Sequence, residues 1–290
     1  MKMRRYAMEN LDLLLKEFDL FNKKQEILQT MRPAIGIRRM EESEDNIPIG
    51  ASKLGGRPDL PPNLEFPQYH NGFLSFLAQI NLVEAKPYDV DEILPKKGIL
   101  YFFYDIIEQP WGFDKVDNGC FKILYFDGEI SELKRTNYPE ITDEYSPLQS
   151  FKVEFFQHHT LPEEPERLEL DEEETENYWD FRSQVMQPYD KHENALPAHY
   201  MLGEPFNIQN DVFEEIIYYG NEDKYGPDGW QKNELEISKK SNELVLLFQM
   251  DSDEDLDVMW GDAGMLYFCI NKNDLQDKQF DNVEFVLQCY

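Results

Sequence analysis

Basic residues are scarce in this chain, and cysteines scarcer still. Lys and Arg number 28 against 58 Asp and Glu in 290 residues, a formal net charge of −30. A field of that sign repels phosphate backbones and draws in cations, so nucleic acid is excluded as an expected partner and a basic protein is favoured. The three cysteines, Cys120, Cys269 and Cys289, contain no C-x-x-C pair. An odd number cannot complete a disulfide framework, so they read as small core residues in a reducing, cytoplasmic setting. No uninterrupted apolar run approaches the roughly 20 residues that cross a bilayer, and no membrane association is expected. The basic start Met1-Lys2-Met3-Arg4-Arg5 is like a signal n-region, but Asp12, Lys16, Glu17 and Asp19 interrupt the apolar stretch behind it.

Catalytic signatures are also missing. The five histidines, His70, His158, His159, His192 and His199, form no H-E-x-x-H and none pairs with a cysteine at zinc spacing. Gly50-Ala51-Ser52-Lys53-Leu54-Gly55 places its second glycine one position too late for a nucleophile elbow, and Pro58, Pro61 and Pro62 forbid the helix that should follow. Gly55-Gly56-Arg57-Pro58 lacks the lysine spacing of a phosphate loop and reads as a tight turn that aims Arg57. No cofactor is implied.

What is present is enough apolar material for a large core. At 41% hydrophobic and 14% aromatic content, a chain this long buries roughly three quarters of the surface its unfolded form exposes. Leu11, Leu14, Leu15, Phe18, Phe21 and Leu28 recur at helical spacing, which predicts one amphipathic helix over residues 9–32, ended by Pro33 and packed on the body. Beyond it, short apolar and β-branched segments between turn residues predict strands over residues 72–80, 98–105, 121–126, 151–157, 215–219, 244–250, 264–270 and 283–289. Asp127-Gly128 is a hairpin signal, with residues 129–133 as the returning strand. Residues 161–194 are acidic and broken by proline, and Tyr178, Trp179 and Phe181 are expected to pack this linker back onto the body.

An internal repeat carries the most information. Leu74-Ser75-Phe76-Leu77-Ala78-Gln79-Ile80-Asn81 aligns with Leu244-Val245-Leu246-Leu247-Phe248-Gln249-Met250-Asp251, and the Gly98 segment aligns with the Gly264 segment. Leu54-Gly55-Gly56-Arg57-Pro58 has a weaker echo in Leu202-Gly203-Glu204-Pro205. Three matches in one order point to duplication. The expected fold is therefore α+β: a helix (1–32), two homologous, mainly antiparallel strand-rich lobes (33–160 and 195–290) sharing one core, and the acidic linker (161–194) between them.

These stretches, with Ile49-Gly50-Ala51-Ser52-Lys53-Leu54-Gly55-Gly56-Arg57-Pro58-Asp59-Leu60-Pro61 and Trp260-Gly261-Asp262-Ala263-Gly264, resemble the YwqG-like family, a group of mainly bacterial proteins known as a domain of unknown function. The resemblance implies an α+β fold with an internal duplication. It implies no activity and no catalytic residues.

Candidate binding residues follow from chemistry. Gln79 and Gln249 sit in apolar strands, where an amide must find partners, either neighbouring backbone or a ligand in a shared groove. Arg57 stands on its turn. Trp111-Gly112-Phe113-Asp114 and Trp260-Gly261-Asp262 each set an aromatic ring and a carboxylate beside a flexible glycine, in what read as corresponding loops. Asp251, Asp253, Asp255 and Asp262 have the alternation of a calcium loop, but Leu256 occupies the glycine position and a strand precedes the loop, so a solvated acidic hairpin is the stronger reading and no metal is expected. The expected function is a non-catalytic intracellular interaction module for a basic partner. The alternative is a small-ligand-binding protein or enzyme that uses Arg57, Gln79, Gln249 and Asp262 in a groove between the lobes.

Overall fold

A computed structural model describes residues 11–70, 72–142, 145–165, 168–189, 194–226 and 228–290. The basic start and His192 lie outside these residues. Ten strands form one antiparallel sheet: β1 (Arg32–Met40), β2 (Lys53–Leu54), β3 (Ser75–Asn81), β4 (Ile99–Tyr104), β5 (Phe121–Phe126), β6 (Phe151–Thr160), β7 (Tyr200–Met201), β8 (Leu244–Asp251), β9 (Met265–Asn271) and β10 (Glu284–Gln288). The centre is the β1/β6 pair, in register from Arg32 opposite Thr160 to Met40 opposite Lys152. Outward from β1 the order is β7, β8, β9, β10, and outward from β6 it is β2, β3, β4, β5. β1 thus borders the later strands and β6 the earlier ones.

The strands nearest the ends are apolar on both faces. In β4, Leu100, Phe102 and Tyr104 point into the main core, while Ile99, Tyr101 and Phe103 enter a second cluster under Leu60, Phe66 and Tyr138. In β9, Leu266, Phe268 and Ile270 enter the same main core, and Met265, Tyr267 and Cys269 face a third cluster. A sheet covered on both sides needs continuous apolar runs, which is how these segments read. The ends of the sheet meet across the main core: Phe102 lies 4.8 Å from Phe248, Tyr104 4.8 Å from Phe285, and Phe121 stacks on Phe285 at 5.2 Å. The antiparallel sheet is therefore nearly closed into a barrel. Lys122–Asp281 (2.5 Å) and Lys278–Asp127 (3.4 Å) bridge the seam.

Four helices matter to the argument besides a first short one. The expected single N-terminal helix is two pieces, α1 (residues 11–17) and α2 (Lys24–Thr30). Asp19 adopts the left-handed conformation (φ 54°) and lets buried Leu20 turn inward, which breaks the helix. Leu11, Leu15, Leu20 and Ile27 pack on Tyr178 and Phe181 of α3 (Glu172–Met186), a helix inside the acidic stretch, started by the Asp171–Glu174 capping box. Trp179 of the same helix is 48% exposed, so it does not pack inward as its neighbours do. The segment read as a strand at 215–219 belongs to α4 (Val212–Tyr219). There Asp211 accepts a hydrogen bond from the Glu214 amide, and this cap outweighs the strand preference of Ile216, Ile217, Tyr218 and Tyr219. α5 (Trp230–Ser241) follows.

Two further expectations differ. Residues 129–133 do not return as a hairpin: a Glu129–Glu132 capping box closes a 3₁₀ turn at Ile130–Glu132, and Lys134–Arg135 pairs with Asp59–Leu60 instead. Pro33 is not what ends the helix: α2 stops at Thr30 and Pro33 already lies in the central strand, opposite His159. Among the described residues no helix is long and apolar enough to cross a membrane.

Candidate functional site

The polar residues singled out by the sequence fall into two buried networks and one exposed rim. The first network surrounds Gln79. Its side-chain oxygen accepts from the Asp59 amide (2.8 Å), and its amide nitrogen donates to Ala51 O (2.7 Å) and to Asp59 Oδ2 (2.8 Å). Buried Asp59 also accepts from the Gly50 amide (2.9 Å) and Arg135 Nε (2.9 Å). Gly55 and Gly56, both with positive φ, form the turn that brings Lys53 and Arg57 onto Glu44. A Cβ at Gly56 would lie 2.3 Å from Glu44 Oε1, so the close approach requires glycine. Arg57 donates through its amide (2.6 Å) and Nε (2.9 Å) to the two oxygens of Glu44, and through Nη1 to Asn137 (3.1 Å). Lys53, fully buried, pairs with Glu44 (3.2 Å) and donates to Arg57 O. Burial pushes the Lys53 ammonium below the ordinary lysine value, with Asp59 and Glu44 opposing. Burial would raise Glu44, but the bonds from Arg57 and the Lys53 charge outweigh it and hold the carboxyl below its usual range.

The second network surrounds Gln249, which faces Tyr200 across β7 and β8 as Gln79 faces Lys53 across β2 and β3. Its oxygen accepts from the Phe206 amide (2.9 Å) and its nitrogen donates to Ala198 O (2.8 Å). Tyr267 donates to Phe206 O, as Tyr101 donates to Asp59 O (2.6 Å). His199 is buried. Its Nδ1 accepts from the Asp251 amide (3.1 Å), so Nε2 carries the proton and donates to Asp253 Oδ2 (3.0 Å). Arg39 holds Asp253 (2.6 Å) and Asp255 (2.5 Å) together. Burial would raise Asp253, but the His199 bond and the Arg39 charge lower it overall, whereas burial keeps Asp251 raised against the Ala198 amide bond.

The alternating aspartates have other partners in this arrangement. Asp253 and Asp255 turn to Arg39, and Asp251 turns to the Ala198 amide. Leu256 is buried at the position where a calcium loop has glycine, Asp257 next to it closes the turn at φ 57°, and an Asp253–Val258 bridge ties the loop. Among the described residues no three His, Cys, Asp or Glu side chains are grouped to hold a metal.

Trp111 and Trp260 do not occupy corresponding loops, because the first lies between β4 and β5 and the second between β8 and β9. The two loops nevertheless meet. Gln109 donates to Met259 O (3.1 Å) and accepts from the Gly261 amide (2.9 Å). The Leu287 amide donates to Trp111 O (3.1 Å), and the Tyr290 amide to Asp262 O (3.0 Å). Trp260 itself is buried and donates Nε1–H to Asp251 O (3.1 Å), while Trp111 and Asp262 are exposed. Arg57 and Gln79 thus belong to one network, Gln249 and Trp260 to the other, and Trp111 and Asp262 to the rim. The two glutamines spend their amides on backbone and Asp59, so the four residues of the expected groove do not line one surface. An open cleft of about 620 Å³ lies elsewhere, between Leu64, Phe66, Phe73 and Pro139, with Asn137 linking it to Arg57.

Glu44, Asp59, Arg135, Arg39 and His199 carry no signal in the sequence: Arg135, Arg39 and His199 reach partners far along the chain, and Glu44 meets Lys53 and Arg57 only through the Gly55–Gly56 turn.

A search of curated proteins finds no match to this chain. The family model described as a domain of unknown function (DUF1963) matches residues 52–289, a span that holds Arg57, Gln79, Trp111, Gln249, Trp260 and Asp262. The chain belongs to that family.

Proposed function

We propose that this chain is a non-catalytic interaction module for a basic protein partner, acting in the cytoplasm, and that within its family it stands with the YwqG-like members. The observation that carries the reading is the commitment of the buried polar side chains. Asp59, Gln79, Arg135, His199, Gln249 and Asp253 spend their hydrogen bonds on internal partners, and the chain as a whole carries a formal net charge of −30. Two matched half-units fit the role as a rigid scaffold. A duplication is supported by the mirrored strand order about β1/β6, by bulges between Phe76 and Ala78 and between Leu246 and Phe248, and by the shared bonding of the two glutamines. On this view the second half begins with β6, inside the 33–160 span expected for the first lobe, and each half contributes its first strand to the other half's side of the sheet.

The test is affinity capture from cell extract on the immobilised chain at low salt, followed by salt elution. Basic proteins in the eluate support the reading; an eluate with no basic protein removes it. A second reading, favoured by the cleft beside Asn137 and Arg57, is a small-ligand binder, whose volume lies within the usual range for such sites. A metabolite that raises the melting temperature of the wild type but not of Arg57→Ala would favour it.

A further inference from the structure

The two loops joined by Gln109 carry exposed apolar and aromatic side chains beside exposed carboxylates. Ile107, Trp111, Met259 and Tyr290 are 48, 42, 62 and 77% exposed. The backbone of both loops lies against the terminal strand and the residues that follow it. The Trp111 carbonyl is bonded to Leu287, a Cβ at Gly112 would sit 2.6 Å from Phe285 O, and one at Gly261 would sit 2.7 Å from Cys289 Sγ. Both loops are also backbone-strained: Gln109 (φ 46°), Asp257 (φ 57°) and Ala263 (φ 50°) adopt left-handed conformations that non-glycine residues avoid. Gln109's two bonds tie the backbone of one loop to that of the other at Met259 and Gly261.

Around these side chains the exposed charge is negative. Glu108, Asp114, Asp257 and Asp262 flank them, and the one basic residue of the 105–119 loop, Lys115, is paired with Asp223 at 2.5 Å. We propose that this rim docks a segment of a partner protein in which Arg or Lys alternates with aromatic or aliphatic anchors. Trp and Tyr faces attract cations, Met259 adapts to varied apolar shapes, and the carboxylates select against anionic partners. A second copy of the chain would set one acidic fringe against another, and an anionic lipid surface would meet the same repulsion. The proposal rests on the interaction reading given above and adds to it the place and chemistry of contact.

The full chain is titrated against two labelled probes at low salt, an alternating Arg-Trp hexapeptide and hexa-arginine. The variant carries Trp111→Ser and Met259→Ser, both exposed positions, with equal melting temperature as its folding control. The expected result is a loss of about tenfold or more for the Arg-Trp peptide and less than about twofold for hexa-arginine. If the wild type binds both probes and the variant binds them equally well, the rim is not the site and the general reading stands. If the wild type binds neither, both fall. A sedimentation shift showing that the wild type is a dimer and the variant a monomer would assign the rim to self-association and overturn the proposal.

Discussion

Replacing each buried glutamine by leucine separates what the two networks contribute. Gln249→Leu keeps the side-chain volume but leaves the Phe206 amide and the Ala198 carbonyl without partners. Each orphaned group costs about 1 to 3 kcal/mol, so the expected loss is about 2 to 6 kcal/mol. Gln79→Leu orphans the Asp59 amide and the Ala51 carbonyl in the same way. It also removes one donor from the buried Asp59 carboxylate, leaving the Gly50 amide and Arg135 to hold the charge. A hydrogen bond to a charged group contributes about 1.5 to 3 kcal/mol, which makes Gln79→Leu the worse substitution by about 2 kcal/mol. Urea unfolding measures both. Midpoints should fall in the order wild type, Gln249→Leu, Gln79→Leu at unchanged slope. Equal midpoints for the two variants would refute the claim that Asp59 depends on Gln79, and a variant as stable as wild type would refute the role assigned to the amides altogether.

Arg39→Ala leaves Asp253 buried without its main cation and should cost about 3 kcal/mol at neutral pH. Because the folded pKa of Asp253 lies below its unfolded value, its contribution is present above the ordinary carboxylate range and is lost as pH falls through the folded value; a pH series of unfolding free energies should show this acid limb flattened in Arg39→Ala. His158 is buried, donates to Met186 O (3.0 Å), and is driven down by burial to about 4. The unfolded chain therefore binds the extra proton between about pH 6.5 and 4, and wild type should lose about 3 kcal/mol relative to His158→Gln across that window, measured by the same titration. Burial pushes the Cys120 thiol up to about 12 and raises Cys269 as well, so neither should react with a thiol reagent until denaturant is added, as mass spectrometry of labelled peptides will show.

The parts of this fold that were legible in the sequence are those where burial on both faces left one chemical option. β4 and β9 read as strands because Ile99-Leu100-Tyr101-Phe102-Phe103-Tyr104 and its counterpart at Met265 have no polar face to offer solvent. The glutamines announced themselves by standing alone in such runs. β1 did not, because Arg38 and Arg39 and the proline at its start look like the end of an apolar segment, and their roles appear only when β6 lies alongside and Asp253 reaches Arg39. The segment around Ile216 has strand-forming residues and became a helix because the Asp211 cap and burial of one face against the sheet decided it locally. The site was less legible than the fold. Asp59 is paired with Arg135 and Met259 with Gln109 across 76 and 150 residues of sequence, and no local pattern marks such contacts.

Surface charge that steers a basic partner to the rim should make association depend on salt. Stopped-flow association of the Arg-Trp peptide with the full chain tests it most directly, measured from low to physiological ionic strength. Screening beyond a length of about 8 Å at physiological salt should lower the association rate constant by about tenfold or more, with the dissociation rate nearly unchanged. An association rate that does not change with salt would contradict the account.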